Sequence, residues 1–217
     1  MIQIQNFVFN PFMENTYVLY DETNEAIIID PGCYEDVEQR DLVEFIEDMN
    51  LKVVGLVNTH CHIDHVFGNA FISKKYNVGL QIHKEDEATL KSVEVYAPAY
   101  GFQGYHPVEA ESFFEEGDQI KFGNSELDIL FTPGHAPGHV VFFNKDQKIC
   151  IGGDVLFDGS IGRTDLPGGD FDILIKSIHE KLFKLEDDVV VYPGHGGSTT
   201  IGKEKISNPF CAINQNS

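Results

Sequence analysis

Six consecutive residues, His60-Cys61-His62-Ile63-Asp64-His65, set three imidazoles and a carboxylate within one turn of chain, directly after the apolar run Val53-Val54-Gly55-Leu56-Val57. The run reads as a buried strand, and Asn58-Thr59 lets the chain leave it, so the cluster falls at a strand's carboxyl end and the mouth of the next helix. That constrains the fold. A buried strand must deliver a dense polar cluster to a loop at its end, where α/β proteins place their sites. Imidazole with carboxylate favours zinc or another first-row divalent ion over calcium or magnesium, which prefer all-oxygen shells.

Other strand ends repeat the design. Leu127-Asp128-Ile129-Leu130-Phe131 runs into Thr132-Pro133-Gly134-His135-Ala136-Pro137-Gly138-His139, and Val189-Val190-Val191-Tyr192 into Pro193-Gly194-His195-Gly196-Gly197. Between them, Lys148-Ile149-Cys150-Ile151 ends in Gly152-Gly153-Asp154, where paired glycines permit close backbone approach and the aspartate offers oxygen. Each of these is ordinary turn chemistry alone; four strand ends offering metal-binding donors together are not.

In this order the motifs resemble those of the metallo-β-lactamase superfamily over nearly the whole chain. The resemblance implies an α+β fold, an αββα sandwich of two central mixed β-sheets flanked by helices, in one domain over residues 1–217. It also implies two divalent metal ions, zinc foremost, with iron and manganese also fitting. His60, His62 and His135 would hold the first, Asp64, His65 and His195 the second, and Asp154 would bridge both beside a water or hydroxide. Such a pair brings the pKa of water to roughly 7, so no Ser or Cys nucleophile is required. Asp64 and Asp154 are then the catalytic carboxylates, Asp64 as a ligand first, while Cys61 is assigned to packing or to support behind the ligands.

Within the superfamily, His62 stands where the oxygen-reducing diiron members carry Glu, and Asp154 where one large group of zinc β-lactamases has Cys. The segments Gly153–Asp170 and Pro193–Thr200, with Asn208-Pro209-Phe210, resemble short bacterial members of the glyoxalase II group. The resemblance implies a thioesterase that splits S-acyl thiol conjugates such as S-lactoylglutathione through the bridging hydroxide. Full-length members hold glutathione with a carboxy-terminal helical region, and the short stretch after His195 leaves the thiol carrier open. Arg163, one of two arginines, either receives a substrate carboxylate or pins its own loop by bonding Asp165, Asp170 or backbone carbonyls. Lys203 and Lys205 are weaker candidates for an anionic substrate. Two alternatives stand beside this reading: a persulfide dioxygenase with one iron on His60, His135 and Asp154, and a non-catalytic metal-binding protein.

A net charge of −20 argues against nucleic acid as a partner, because phosphate binding needs clustered Lys and Arg. The expected partner is a small-molecule thioester, with no membrane. Cys33, Cys61, Cys150 and Cys211 show no paired spacing, and Met1–Phe7 lacks the basic and long apolar segments of a signal peptide, which points to the cytoplasm. Strands are predicted at Ile2–Phe9, Thr16–Tyr20, Ala26–Asp30, Val53–Val57, Gln119–Phe122, Leu127–Phe131, Val140–Asn144, Lys148–Ile151 and Val189–Tyr192. Helices are predicted at Asp36–Met49, Val66–Tyr76, Lys84–Val95 and Asp172–Phe183, the last capped by Asp170 or Asp172. The aromatic loop Gly101–Pro107 is a candidate cleft wall, and His83, His106 and His179 have no ligand partners at recognisable spacing.

Overall fold

A computed structural model describes residues 1–213. Its first half contributes β1 (Gln3–Phe9), β2 (Glu14–Tyr20), β3 (Glu25–Ile29), α1 (Asp36–Asp48), β4 (Lys52–Val57), α2 (Ile63–Val66), α3 (Asn69–Tyr76), β5 (Leu80–His83), α4 (Glu87–Tyr96) and β6 (Ala110–Phe114). The six strands form one mixed sheet in sequence order, antiparallel from β1 to β3 and parallel from β3 to β6. The helices α1, α3 and α4 supply the crossovers that parallel neighbours need.

The second half contributes β7 (Gln119–Phe122), β8 (Ser125–Phe131), β9 (Val140–Asn144), β10 (Ile149–Gly153), the small pair β11 (Leu156–Phe157) and β12 (Ser160–Ile161), α5 (Phe171–Glu180), β13 (Val190–Pro193), β14 (Thr199–Thr200) and α6 (Ile201–Ser207). Its sheet runs β14-β13-β10-β9-β8-β7, with β10 and β13 parallel and the other pairs antiparallel.

Side-chain alternation divides the core into layers. Along β2, Tyr17 and Leu19 join the cluster between the sheets, with Ile27, Ile29, Val57, Leu127, Ile129 and Phe142. Val18 and Tyr20 face the other way, onto Leu42 and Ile46 of α1 and Ile72 of α3. Beyond the second sheet, Val141, Cys150 and Val191 meet Leu174 and Ile178 of α5 and Ile201 of α6. Period-two alternation on strands covered on both faces gives uninterrupted apolar runs, and the layers stack as the αββα sandwich that the family resemblance implied.

Several elements differ from expectation. β5, β6, β11, β12, β14 and α6 were not anticipated, and the helix expected over Val66–Tyr76 starts later, as α3 from Asn69, with Phe67 and Gly68 dividing it from the separate short helix α2. The helix expected over Lys84–Val95 opens with a single 3-10 turn, Lys84–Asp86. Asp170 caps α5, its side chain accepting from the Ile173 amide at 2.9 Å, and α5 ends at Glu180 before a 3-10 turn at Leu182–Lys184. In the aromatic loop, Phe102 is buried against Tyr34 and Phe67, so its ring serves local packing.

Candidate metal centre

The carboxyl ends of β4, β8, β10 and β13 open onto one edge of the sandwich, and hydrogen bonds stitch the two sheets together there. The Val140 amide donates to the Thr59 carbonyl at 2.9 Å, and the Asn15 amide to the Gly194 carbonyl at 2.7 Å. The loops that follow, with the short helix α2 that carries Asp64 and His65, bring together all seven side chains picked out from the sequence. His62 Nδ1 lies 2.8 Å from His135 Nε2, which lies 3.2 Å from His60 Nε2. These separations are near the edge of a tetrahedron with ~2.0–2.1 Å bonds, about 3.3 Å. In a second set, His195 Nε2 is 3.2 Å and His65 Nε2 3.8 Å from Asp64 Oδ2. Asp154 stands between the sets, its Oδ1 3.6 Å from His65 Nε2 and its Oδ2 3.6 Å from His135 Nε2 and 3.4 Å from His195 Nε2.

The rear nitrogens of four rings fix where their protons sit. His135 Nδ1–H donates to the Arg163 carbonyl at 2.7 Å, and His195 Nδ1–H to the Phe12 carbonyl at 3.2 Å. His65 Nδ1–H donates to Asp30 Oδ2 at 3.2 Å. The Thr59 hydroxyl spends its proton on Asp30 Oδ2 and so accepts from His60 Nδ1–H at 3.1 Å. All four Nε2 atoms therefore point inward, at one another and at two carboxylates. Two of the converging atoms, His65 Nε2 and Asp154 Oδ1, are buried with no hydrogen-bond partner, as they would be where a cation completes their shell. A further grouping, Asp30 with His60 and His65, is also close enough to hold an ion, but the Asp30 oxygens are already taken by the Asn58 side chain, the Thr59 amide and hydroxyl, and His65.

Burial pushes His60 well down and His62 down to about 3, so the first set is neutral imidazole. At His65, burial is outweighed by the Asp64 and Asp154 carboxylates, which hold it well up. At Asp154 the balance reverses: His65, His135 and His195 overcome burial and hold its carboxyl well below the ordinary range. Neutral donors on one side and carboxylates on the other suit first-row divalent ions.

Glycine lets the backbone come this close. A Cβ at Gly194 would stand 2.2 Å from Asp154 Oδ1, and one at Gly153, whose φ is +48°, 2.6 Å from His139 Nε2. His139 itself was not singled out from the sequence. Fully buried, it accepts the Asp154 amide proton on Nε2 at 3.0 Å while Nδ1 meets the Thr132 hydroxyl at 3.1 Å. Its only signal was a second histidine four residues after His135. Asp30 was likewise missed, although Asp30-Pro31-Gly32 at the end of β3 marks a strand-end turn like the others.

The remaining candidates lie apart from the centre. Arg163 contributes its carbonyl to His135, but its guanidinium is closed on Asp165 by two bonds of 2.8 Å within the same exposed loop. Lys203 and Lys205 pair with Asp158 and Asp187. Cys61 is buried, and burial with the neighbouring Asp86 carboxylate pushes its thiol well up, away from thiolate chemistry. His83 caps the Lys84–Asp86 turn and His179 meets the Cys211 carbonyl.

Comparison with known proteins agrees with this architecture. The family model of the metallo-β-lactamase superfamily matches residues 9–195. The hydroxyacylglutathione hydrolase GloC of Haemophilus influenzae is 39% identical over 203 residues, covering 92% of this chain and 93% of that protein. Among solved structures, the BLEG-1 B3 metallo-β-lactamase superposes with a TM-score of 0.86 at 30% identity, covering 97% of this chain and 100% of the other. TTHA1623 in a di-iron-bound form gives 0.83 at 32%, covering 95% and 99%. Sheet order, strand-end donors and sequence agree: the chain belongs to the metallo-β-lactamase superfamily.

Proposed function

We propose that this protein is a metal-dependent hydrolase that cleaves S-acyl thiol conjugates of the S-lactoylglutathione kind. The observation that carries the reading is the set of imidazoles whose Nε2 atoms face inward because their Nδ1–H groups are engaged behind them, divided between two groups with Asp154 between them. We assign His60, His62 and His135 to one ion, Asp64, His65 and His195 to the other, and Asp154 to both, with zinc foremost and iron or manganese as fitting alternatives. Two such ions supply Lewis acidity and acidified water at neutral pH.

The chain's own residues hold and shape that chemistry. Asp30 and the Phe12 carbonyl fix the ring planes of His65 and His195. His60 and His65 are sealed from solvent, whereas the Asp64 and His195 side chains are 14% and 26% exposed, so substrate approaches from their side. Thiolate is a good leaving group, which removes the need for a strong general acid. All four cysteines are free and buried, so none is placed as a nucleophile; unpaired thiols also fit our assignment to the cytoplasm. The likeness to GloC supports thioester cleavage. A one-iron persulfide dioxygenase would use only His60, His135 and Asp154, and leaves the inward aim of His65 and His195 without a purpose.

Elemental analysis run with four assays tests the reading: S-lactoylglutathione hydrolysis, other S-acyl thiols, β-lactam hydrolysis, and oxygen uptake with glutathione persulfide. About two metals per chain with thioester cleavage is the expected result. One iron with oxygen uptake would replace the hydrolase by the dioxygenase, and β-lactam turnover without thioester turnover would move the activity toward that of the structural neighbour.

A further inference from the structure

Asp86 belongs to neither donor set, yet one of its oxygens reaches each of two donor-bearing loops. It ends the 3-10 turn after β5, just before α4, and is 0% exposed. A carboxylate so placed is costly unless its lone pairs are filled. Its Oδ2 accepts from the Cys61 amide, and its Oδ1 from the Gly138 amide at 3.2 Å and the Thr89 hydroxyl at 2.9 Å. Cys61 sits between His60 and His62. Gly138 lies on the loop of His135 and precedes His139, which holds the Asp154 amide. The two loops leave strands of different sheets, β4 and β8, so nothing in either sheet's own pairing sets their separation. Contact is close enough that a Cβ at Gly138 would stand 2.4 Å from the Asp86 nitrogen.

We propose that Asp86 is a positioning residue that fixes the His60–His62 loop against the His135 loop and thereby sets the metal affinity of the three-imidazole group. The other set is oriented by different contacts, Asp30 on His65 and the Phe12 carbonyl on His195. Loss of Asp86 is therefore felt unequally by the two sets. The inference rests on the metal centre proposed above and is independent of which bond is hydrolysed.

The test is titration of the metal-free full chain with cobalt(II), followed by absorption and by chelator competition. Wild type takes up two equivalents. In Asp86→Asn, which keeps the shape but turns an NH2 group toward one of the two amides, one step weakens about 10–100-fold and the other is unchanged. In a His195→Ala background the weakened step is the one that remains. Thr89→Val, which removes a contact reaching neither loop, leaves both steps as in wild type. Equal weakening of both steps, unchanged affinities in Asp86→Asn, or the same loss in Thr89→Val would each overturn the proposal. Failure of wild type to bind two ions would instead sink the metal-centre reading. Should Asp86→Asn not fold, hydrogen exchange of metal-free wild type decides: slow exchange at the Cys61 and Gly138 amides supports a preset spacing, and unprotected exchange at both refutes it.

Discussion

Asp154 and His139 divide the work of the centre between a donor and its support. Asp154 faces both sets, so if it is the shared ligand proposed above, Asp154→Ala should lower the metal content from about two equivalents to less than one, read by elemental analysis. His139→Leu leaves every donor in place but frees the Asp154 amide; it weakens metal binding roughly 10–100-fold in chelator competition. Arg163→Ala leaves KM within about twofold of wild type and lowers Tm only slightly, because an exposed ion pair closed within its own loop stabilises little. A large rise in KM would show that the guanidinium leaves Asp165 to meet substrate. The donors were legible in the sequence because each is a titratable side chain beside a strand-end turn. Asp30, Asp86 and His139 were not, because they act through backbone amides, a hydroxyl and a ring nitrogen that only tertiary contact brings to them.

Long apolar strands and amphipathic helices announced themselves by period, which is why β1 to β4, β7 to β10 and β13 were anticipated. β5 and β6 have four and five residues, and their strand character comes from parallel pairing beyond β4, a tertiary property. The β7–β8 turn shows how elements of the two sheets are joined away from the site. Asp21, at the end of β2, accepts from the Asn124 amide at 2.7 Å and the Ser125 hydroxyl at 2.9 Å, besides Thr23 on its own turn. Burial opposes its ionisation, but these bonds win and lower its pKa to about 2. A depressed folded-state pKa stabilises above the unfolded value and is lost below it. Asp21→Asn should therefore cost about 2 kcal/mol at neutral pH, with the gap to wild type closing as pH falls from about 4 to about 2 in denaturation curves.

Taken whole, the molecule concentrates its donors on one edge of two sheets that are separate in sequence. If each of two ions is held at about a hundred times its Kd, binding adds about 2.7 kcal/mol apiece. For a chain of this length, chelation should then lower Tm by on the order of 10–20 °C in calorimetry, reversed by re-addition of metal. An unchanged Tm would mean that the converging imidazoles bind no ion. The spacing along the chain adds a kinetic consequence. His60 and His135 are 75 residues apart and meet only after the sheets have docked. Until the sheets dock the coordination set is incomplete, so we expect loading to follow the rate-limiting step of folding. Metal should thus leave the folding limb of a chevron plot where it lies and lower the unfolding limb, making the bound ions a brake on opening and not a nucleus for assembly.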